Sequence, residues 1–197
     1  MDFDFIYLAS ASPRRGQLLE QIGVAYRSRP VSLDESPRHR ETPGELVERL
    51  ARSKASVCWE GLSEDQVVPV LGADTVVVYD GRILGKPHDR AEGLGMLELL
   101  SGGVHEVLTA VSVRYRDFQG TVLSRSRVEF GVVPAAEQEA YWATGEPRDK
   151  AGGYAIQGLG AAFVARLEGS YSGVMGLPLF ETVSLLREVG VEILSRP

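Results

Sequence analysis

The chain has 197 residues, 44% of them apolar and 24% charged, with 27 acidic against 21 basic side chains and a formal net charge of −6. That balance fits a folded globular protein rather than a disordered one. It argues against broad binding to nucleic acid or to a membrane surface, where a basic face supplies the affinity. No apolar run approaches the roughly 20 residues needed to span a bilayer. Asp2 and Asp4 stand where a secretory signal would carry basic residues, so a cytoplasmic protein is expected. The single cysteine, Cys58, leaves no intrachain disulfide and reads as a small buried side chain.

The run Phe5-Ile6-Tyr7-Leu8 predicts a strand over 5–9, and the periodicity of Gln17 to Ile22 predicts a helix over 14–22, closed by Gly23. Between them lies Ser10-Ala11-Ser12-Pro13-Arg14-Arg15. A strand-to-helix turn exposes backbone N–H groups and the positive end of the helix dipole, which suits an anion. Cations in a first helical turn oppose that dipole. Arg14 and Arg15 therefore either point to solvent or share the site with a bound anion.

Residues 25–31 read as extended and 32–44 as a polar loop. Thr42-Pro43-Gly44-Glu45 is a capping-box pattern with proline at its first helical position, opening a helix to about Trp59. Leu46, Val47, Leu50, Ala51 and Ala55 form its apolar stripe. Val67 to Tyr79 is β-prone, with a buried strand over 70–78, and Asp80-Gly81 is a hairpin signal returning into 82–84. Asp89 caps a predicted helix through Leu100, ended by Gly102-Gly103. Strands over 105–115 and 121–133 are expected to join around Phe118-Gln119-Gly120. Pro134 opens a helix to about Trp142, a glycine-rich loop covers 144–160, a short strand 162–166, and Pro178 opens a last helix to about Glu188. With no repeat or linker, one domain over 1–197 is expected, of α/β class with a partly antiparallel sheet.

Asp74 is a lone carboxylate in a run of Val, Leu and Ala. Burying it is costly unless it is paired, hydrogen-bonded or holding a metal. It reads either as a strand-end aspartate satisfied by backbone donors or an arginine, or as a metal ligand or general base on a rigid strand. Lys86 in Gly85-Lys86-Pro87 and Lys150 in the long loop each read singly as solvated surface charges. Together with Arg14, Arg15 and Asp74 they look like a phosphate site with a divalent metal, for which Glu35, Asp149 and Glu181 could add oxygen ligands. The loop's glycines permit close approach of backbone to a ligand.

Other chemistries fail on spacing. No Gly-x-x-x-x-Gly-Lys-Ser/Thr loop and no Gly-x-Ser-x-Gly elbow occurs. Gly158-Leu159-Gly160 precedes a predicted strand and lacks the last glycine of a dinucleotide fingerprint. His39, His88 and His105 have no zinc-ligand spacing. Tyr141-Trp142 reads as packing, not as a base-stacking platform.

Six segments, in order along nearly the whole chain, carry a resemblance. They are Leu8 to Arg15, Leu50 to Ala55, Gly72 to Val77, Leu84 to Pro87, Asp149 to Gly158, and Gly176 to Thr182. The chain resembles the Maf family of nucleoside triphosphate pyrophosphatases, once described as septum-formation inhibitors. The resemblance implies an α/β fold related to inosine-triphosphate pyrophosphatases: a long, mixed, twisted sheet flanked by helices, in two lobes with a central cleft. It implies hydrolysis of a nucleoside triphosphate to the monophosphate and pyrophosphate with Mg²⁺ or Mn²⁺. Asp74 matches the proton acceptor, with Glu35 as its partner toward the metal. Arg14, Thr75 and Gln157 match positions that choose the substrate. Ser10, Arg15, Lys54, Lys86 and Lys150 are placed with them as substrate-binding, and Asp149 and Glu181 as further cleft residues. The loop from Asp149 to Gln157 resembles the branch acting on dTTP and UTP. Gly85 stands where some relatives carry a larger residue.

The expected partner is therefore the nucleotide itself, without nucleic acid or membrane; the sequence leaves a homodimer open. Such an enzyme would remove unwanted or modified nucleotides. A nucleotide-binding regulator of septum formation without essential catalysis is the rival reading, but an isolated carboxylate among cationic loops is more than binding demands.

Overall fold

In a computed structural model, residues 3–63 and 67–193 are described. A mixed seven-stranded sheet runs in the order β2-β1-β3-β5-β6-β7, with β4 paired to β3. The strands are β1 (Ile6–Leu8), β2 (Tyr26–Ser28), β3 (Val70–Tyr79), β4 (Arg82–Leu84), β5 (Val104–Tyr115), β6 (Phe118–Phe130) and β7 (Val164–Glu168). The helices are α1 (Pro13–Gln21), α2 (Pro43–Glu60), α3 (Arg90–Leu100), α4 (Ala135–Ala143), α5 (Tyr171–Met175) and α6 (Leu179–Glu188). β1 pairs parallel with β2 and β3, while β3–β4 and β6–β7 are antiparallel. The α/β class and the mixed sheet flanked by helices are as the sequence implies. Among the described residues no helix is long and apolar enough to cross a membrane.

The chain divides into two compact units. The first holds residues up to Asp74, 109–124, and from Gly176 onward; the second holds 75–108 and 125–175. In the first unit Tyr7, Ala9, Ala55, Cys58 and Val70 pack as one buried cluster, with Phe5 and Trp59 against it. The apolar stripe predicted for α2 is buried throughout. Its cap has the predicted form: Thr42 accepts from the Glu45 N–H, and the Glu45 carboxylate accepts from the Thr42 N–H. α2 lies so close to β3 that a Cβ at Gly72 would fall 2.4 Å from the Ala51 carbonyl and 2.7 Å from the Ala55 nitrogen. Glycine at position 72 is what lets that helix down onto the strand.

In the second unit Val77, Leu97, Leu100, Val107, Val128, Phe130, Tyr154, Ile156 and Phe163 belong to one core. The hairpin signal holds, because Asp80 and Gly81 both take positive φ, 48° and 72°, as a two-residue primed turn requires. Asp89 caps α3 through the Glu92 N–H. Trp142 packs over Gly93, where a Cβ would meet its ring at 2.1 Å; Tyr141 and Trp142 are both buried, as packing predicts.

Three expectations shift. The β5–β6 turn is Arg116-Asp117, with Arg116 at φ 51°, not Phe118-Gln119-Gly120. Gly120 instead sits within β6, where a side chain would strike Leu185 at 2.6 Å. The loop over 144–160 contains compact 3-10 turns at Glu146–Asp149 and Ala151–Gly153, and a third over Leu159–Phe163 displaces the expected strand to Val164–Glu168. The short α5 was not foreseen; at five residues it is too brief to show a helical period.

Candidate functional site

Within the first unit the charged residues meet at Lys54. Its position on the strand-facing side of α2 is buried, and its Nζ donates to Asp74 Oδ1 at 2.7 Å. The same ammonium lies 2.6 Å from Glu35 Oε1, on the loop before α2. Asp74 is 7% exposed. Burial pushes its carboxyl above the usual aspartate range, while the fields of Lys54 and Arg15 pull the other way. The result is a carboxylate made more basic by its surroundings yet held in one orientation, which is what a general base needs. The two readings of Asp74 thus meet: it is paired, by a lysine rather than an arginine or backbone donors, and it is perturbed.

Arg15 resolves the question posed by the first helical turn. Its side chain is buried, donating from Nε to the Gly176 carbonyl at 2.8 Å and from Nη1 to Ser10 Oγ at 3.0 Å. It therefore does not point to solvent, and its charge lies in the field of Asp74, Arg14 and Glu35. Ser10 Oγ also accepts from the Ser12 N–H at 3.2 Å, so this hydroxyl ties the turn together. Arg14 is half-buried beside it. Glu181 stands in the first turn of α6 with Oε2 buried and, among the described residues, without a hydrogen-bond partner. A buried acceptor of that kind calls for a donor or a cation.

The donor chemistry can be weighed against a divalent metal. Among the described residues no group of three or more His, Cys, Asp or Glu side chains sits together. Asp74 and Glu35 do converge on one cationic point. Two carboxylates fit a magnesium-like ion that arrives with phosphate oxygens and keeps several waters, and they do not fit a closed all-protein cage.

The second unit carries the other predicted residues. Thr75 follows Asp74 on β3 and, by strand alternation, faces the opposite side of the sheet. Lys86 is exposed after β4, and the Gly85 carbonyl before it accepts from the Gly152 N–H at 3.0 Å, tying its loop to the glycine turn. Lys150 Nζ pairs with Asp149 Oδ1 and donates to the Glu146 carbonyl at 3.2 Å. Gln157 is exposed.

Sequence reasoning missed three supports. Arg49 binds Glu41 through Nε and Nη2, at 2.5 and 2.8 Å, and the Ser36 carbonyl at 3.0 Å, strapping down the loop that carries Glu35. Glu146 and Tyr141 bind backbone around Gln157. Each also reaches a main-chain group 13 or 14 residues away, a contact that leaves no side-chain pattern to read.

The model of a family described as "Maf-like protein" matches residues 5–189. A dTTP/UTP pyrophosphatase of Alkalilimnicola ehrlichii is 54% identical over 190 residues, covering 95% of this chain and 94% of the relative. One of Methylobacillus flagellatus is 53% identical over 188 residues, with the same coverage of 95% and 94%. Among solved structures, a nucleoside-triphosphatase / dITP/XTP pyrophosphatase from Mycobacterium abscessus is 20% identical. It covers 66% of this chain and 74% of its own, at a TM-score of 0.38, too partial an overlap to bear on this chain.

Proposed function

The chain belongs to the Maf family, and from that premise we propose that it hydrolyses nucleoside triphosphates, dTTP and UTP foremost, to the monophosphate and pyrophosphate in the cytoplasm. The observation that carries the chemistry is the buried Asp74 carboxylate, raised in basicity by desolvation and fixed by Lys54. The support for the substrate is the pair of relatives named dTTP/UTP pyrophosphatase at more than half identity.

The reaction replaces one bond at the α-phosphorus. A water oxygen bonds to phosphorus, the bond to the bridging oxygen breaks, and pyrophosphate leaves with the electron pair. Asp74 takes the water's proton. Lys54 holds one oxygen of that carboxylate and leaves the other as the acceptor. Negative charge builds on the leaving pyrophosphate, and preorganised cations lower its energy far more than mobile water would. Arg14 and Arg15, in the first unit, are the cations assigned to it. In the alternative arrangement Asp74 orients the water rather than taking its proton directly, and a divalent cation held by Asp74 and Glu35 would neutralise phosphate charge when bound.

Gln157 offers one amide donor and one acceptor, the complement of the imide edge of thymine or uracil. Binding alone, as in a regulator of septum formation, gives the perturbed carboxylate no task. The test is incubation with a panel of triphosphates and Mg²⁺ or Mn²⁺, scoring pyrophosphate apart from orthophosphate. Pyrophosphate release fastest from dTTP and UTP is expected. Orthophosphate release would overturn the reaction, and equal turnover of all bases would overturn the preference.

A further inference from the structure

A glutamine can read the wrong base as easily as the right one. Rotating its amide by half a turn exchanges donor and acceptor, so a loose glutamine serves the cytosine edge as well as the uracil edge. Discrimination by Gln157 therefore depends on the direction from which its side chain meets the base, which the main chain sets, and the loop around it is held at both ends. Tyr141 Oη donates to Glu146 Oε1 at 2.7 Å and accepts from the Ala155 N–H at 3.0 Å, two residues before Gln157. Glu146 Oε2 accepts from the Leu159 N–H at 3.0 Å, and Oε1 from the Gly160 N–H at 3.1 Å, just after it. The Gly158 N–H closes a turn on the Ala155 carbonyl at 3.1 Å.

The fit is tight. A Cβ at Gly158 would lie 2.3 Å from Glu146 Oε2, and one at Gly160 would lie 2.7 Å from Tyr141 Oη. Tyr141 is buried, and Gln157, at the crest of the segment, is exposed. Burial works against the Glu146 carboxylate, but the Tyr141 hydroxyl and the two N–H groups outweigh it and hold its pKa below the ordinary value. The anion that receives these bonds thus persists at neutral pH.

From this geometry we infer that Glu146 and Tyr141 are positioning residues for pyrimidine selection, holding the main chain on either side of Gln157 so that its side chain meets a pyrimidine edge from one fixed direction. The inference rests on the proposed reading of Gln157 as the base-reading residue. Neither side chain is assigned a part in bond breaking. A carboxylate that takes both N–H groups after the turn, and accepts from the hydroxyl that takes the N–H before it, fixes that turn more firmly than neutral acceptors would.

The experiment uses Glu146→Gln and Tyr141→Phe in the full-length protein. The Glu146 change replaces the anion by a neutral amide with one acceptor oxygen, so one of the Leu159 and Gly160 N–H groups faces an NH₂ and the other keeps only a neutral acceptor. The Tyr141 change removes one hydroxyl and leaves the ring in the core. Each is assayed for kcat/KM on dTTP and dCTP, with amide hydrogen exchange followed over residues 155–160. The expected result is a fall of about tenfold in the dTTP-to-dCTP ratio, larger for Glu146→Gln, with dCTP turnover kept. Exchange quickens at Ala155, Leu159 and Gly160. Equal loss on both substrates would mark a merely structural role and overturn the inference. So would an unchanged ratio, or exchange unchanged in both variants. Failure of the underlying reading looks different: the wild-type protein then shows no preference for dTTP over dCTP, while the exchange result still tests the clamp.

Discussion

At the scale of single residues, the proposed chemistry rests on Asp74. Asp74→Asn keeps the shape and removes the base, so turnover is expected to fall by about 10² to 10⁴ while the thermal unfolding curve stays cooperative; near-normal turnover in the folded variant would remove Asp74 from this role. Because burial raises its carboxyl, Asp74 in the metal-free protein should titrate above the ordinary aspartate range when followed by carbon NMR, and a titration within or below that range would contradict that environment. Lys54→Met leaves a buried carboxylate without its cation and is expected to cost about 3 kcal/mol of stability in denaturant unfolding. His105, 2% exposed, meets Tyr154 Oη at 2.8 Å, and burial lowers its pKa from the ordinary 6.5 to about 4. The unfolded chain then binds a proton that the folded one refuses, so stability is lost as pH falls from 6.5 toward 4, by up to about 3 kcal/mol. In His105→Gln the slope of unfolding free energy against pH over that interval should be shallower; an identical slope would place the titration elsewhere.

At the scale of elements, the distance between α2 and β3 governs the site. Lys54 is the residue before Ala55, whose nitrogen sits against Gly72, and Asp74 lies two residues beyond Gly72. Gly72→Ala must push helix backbone away from strand backbone. A loss of about 1 to 3 kcal/mol is expected, with turnover falling more than Lys54-independent binding of the nucleotide. A variant equally stable and active would mean that the helix has room. These elements were largely legible beforehand: the capping box of α2, the Asp80-Gly81 turn and the Asp89 cap are local signals, read from adjacent residues. The β5–β6 turn was not, because Gly120 mimics a turn residue while serving the packing of Leu185 and Phe118. The 3-10 turns over 146–163 were also hidden, since their order comes from Glu146 and Tyr141 reaching across more than ten residues to main-chain groups.

At the scale of the whole molecule, a net charge of −6 surrounds a site assigned to an anionic substrate, so the attraction must be local, from a few cations on particular loops. That is why composition argues against a broad nucleic-acid surface but says nothing of nucleotides. Asp74 stood out in the sequence by contrast with its apolar neighbours; its partner Lys54 did not, being one charge among several on a helix, and it was found only through the resemblance. The supports for Glu35 and Gln157 were out of reach in either way. In the proposed reaction water attacks the α-phosphorus of a pyrimidine nucleoside triphosphate. Hydrolysis of dTTP in heavy-oxygen water, with the label located by mass spectrometry, tests it most directly. The label is predicted in the thymidine monophosphate, with unlabelled pyrophosphate; label in pyrophosphate or in orthophosphate would contradict it.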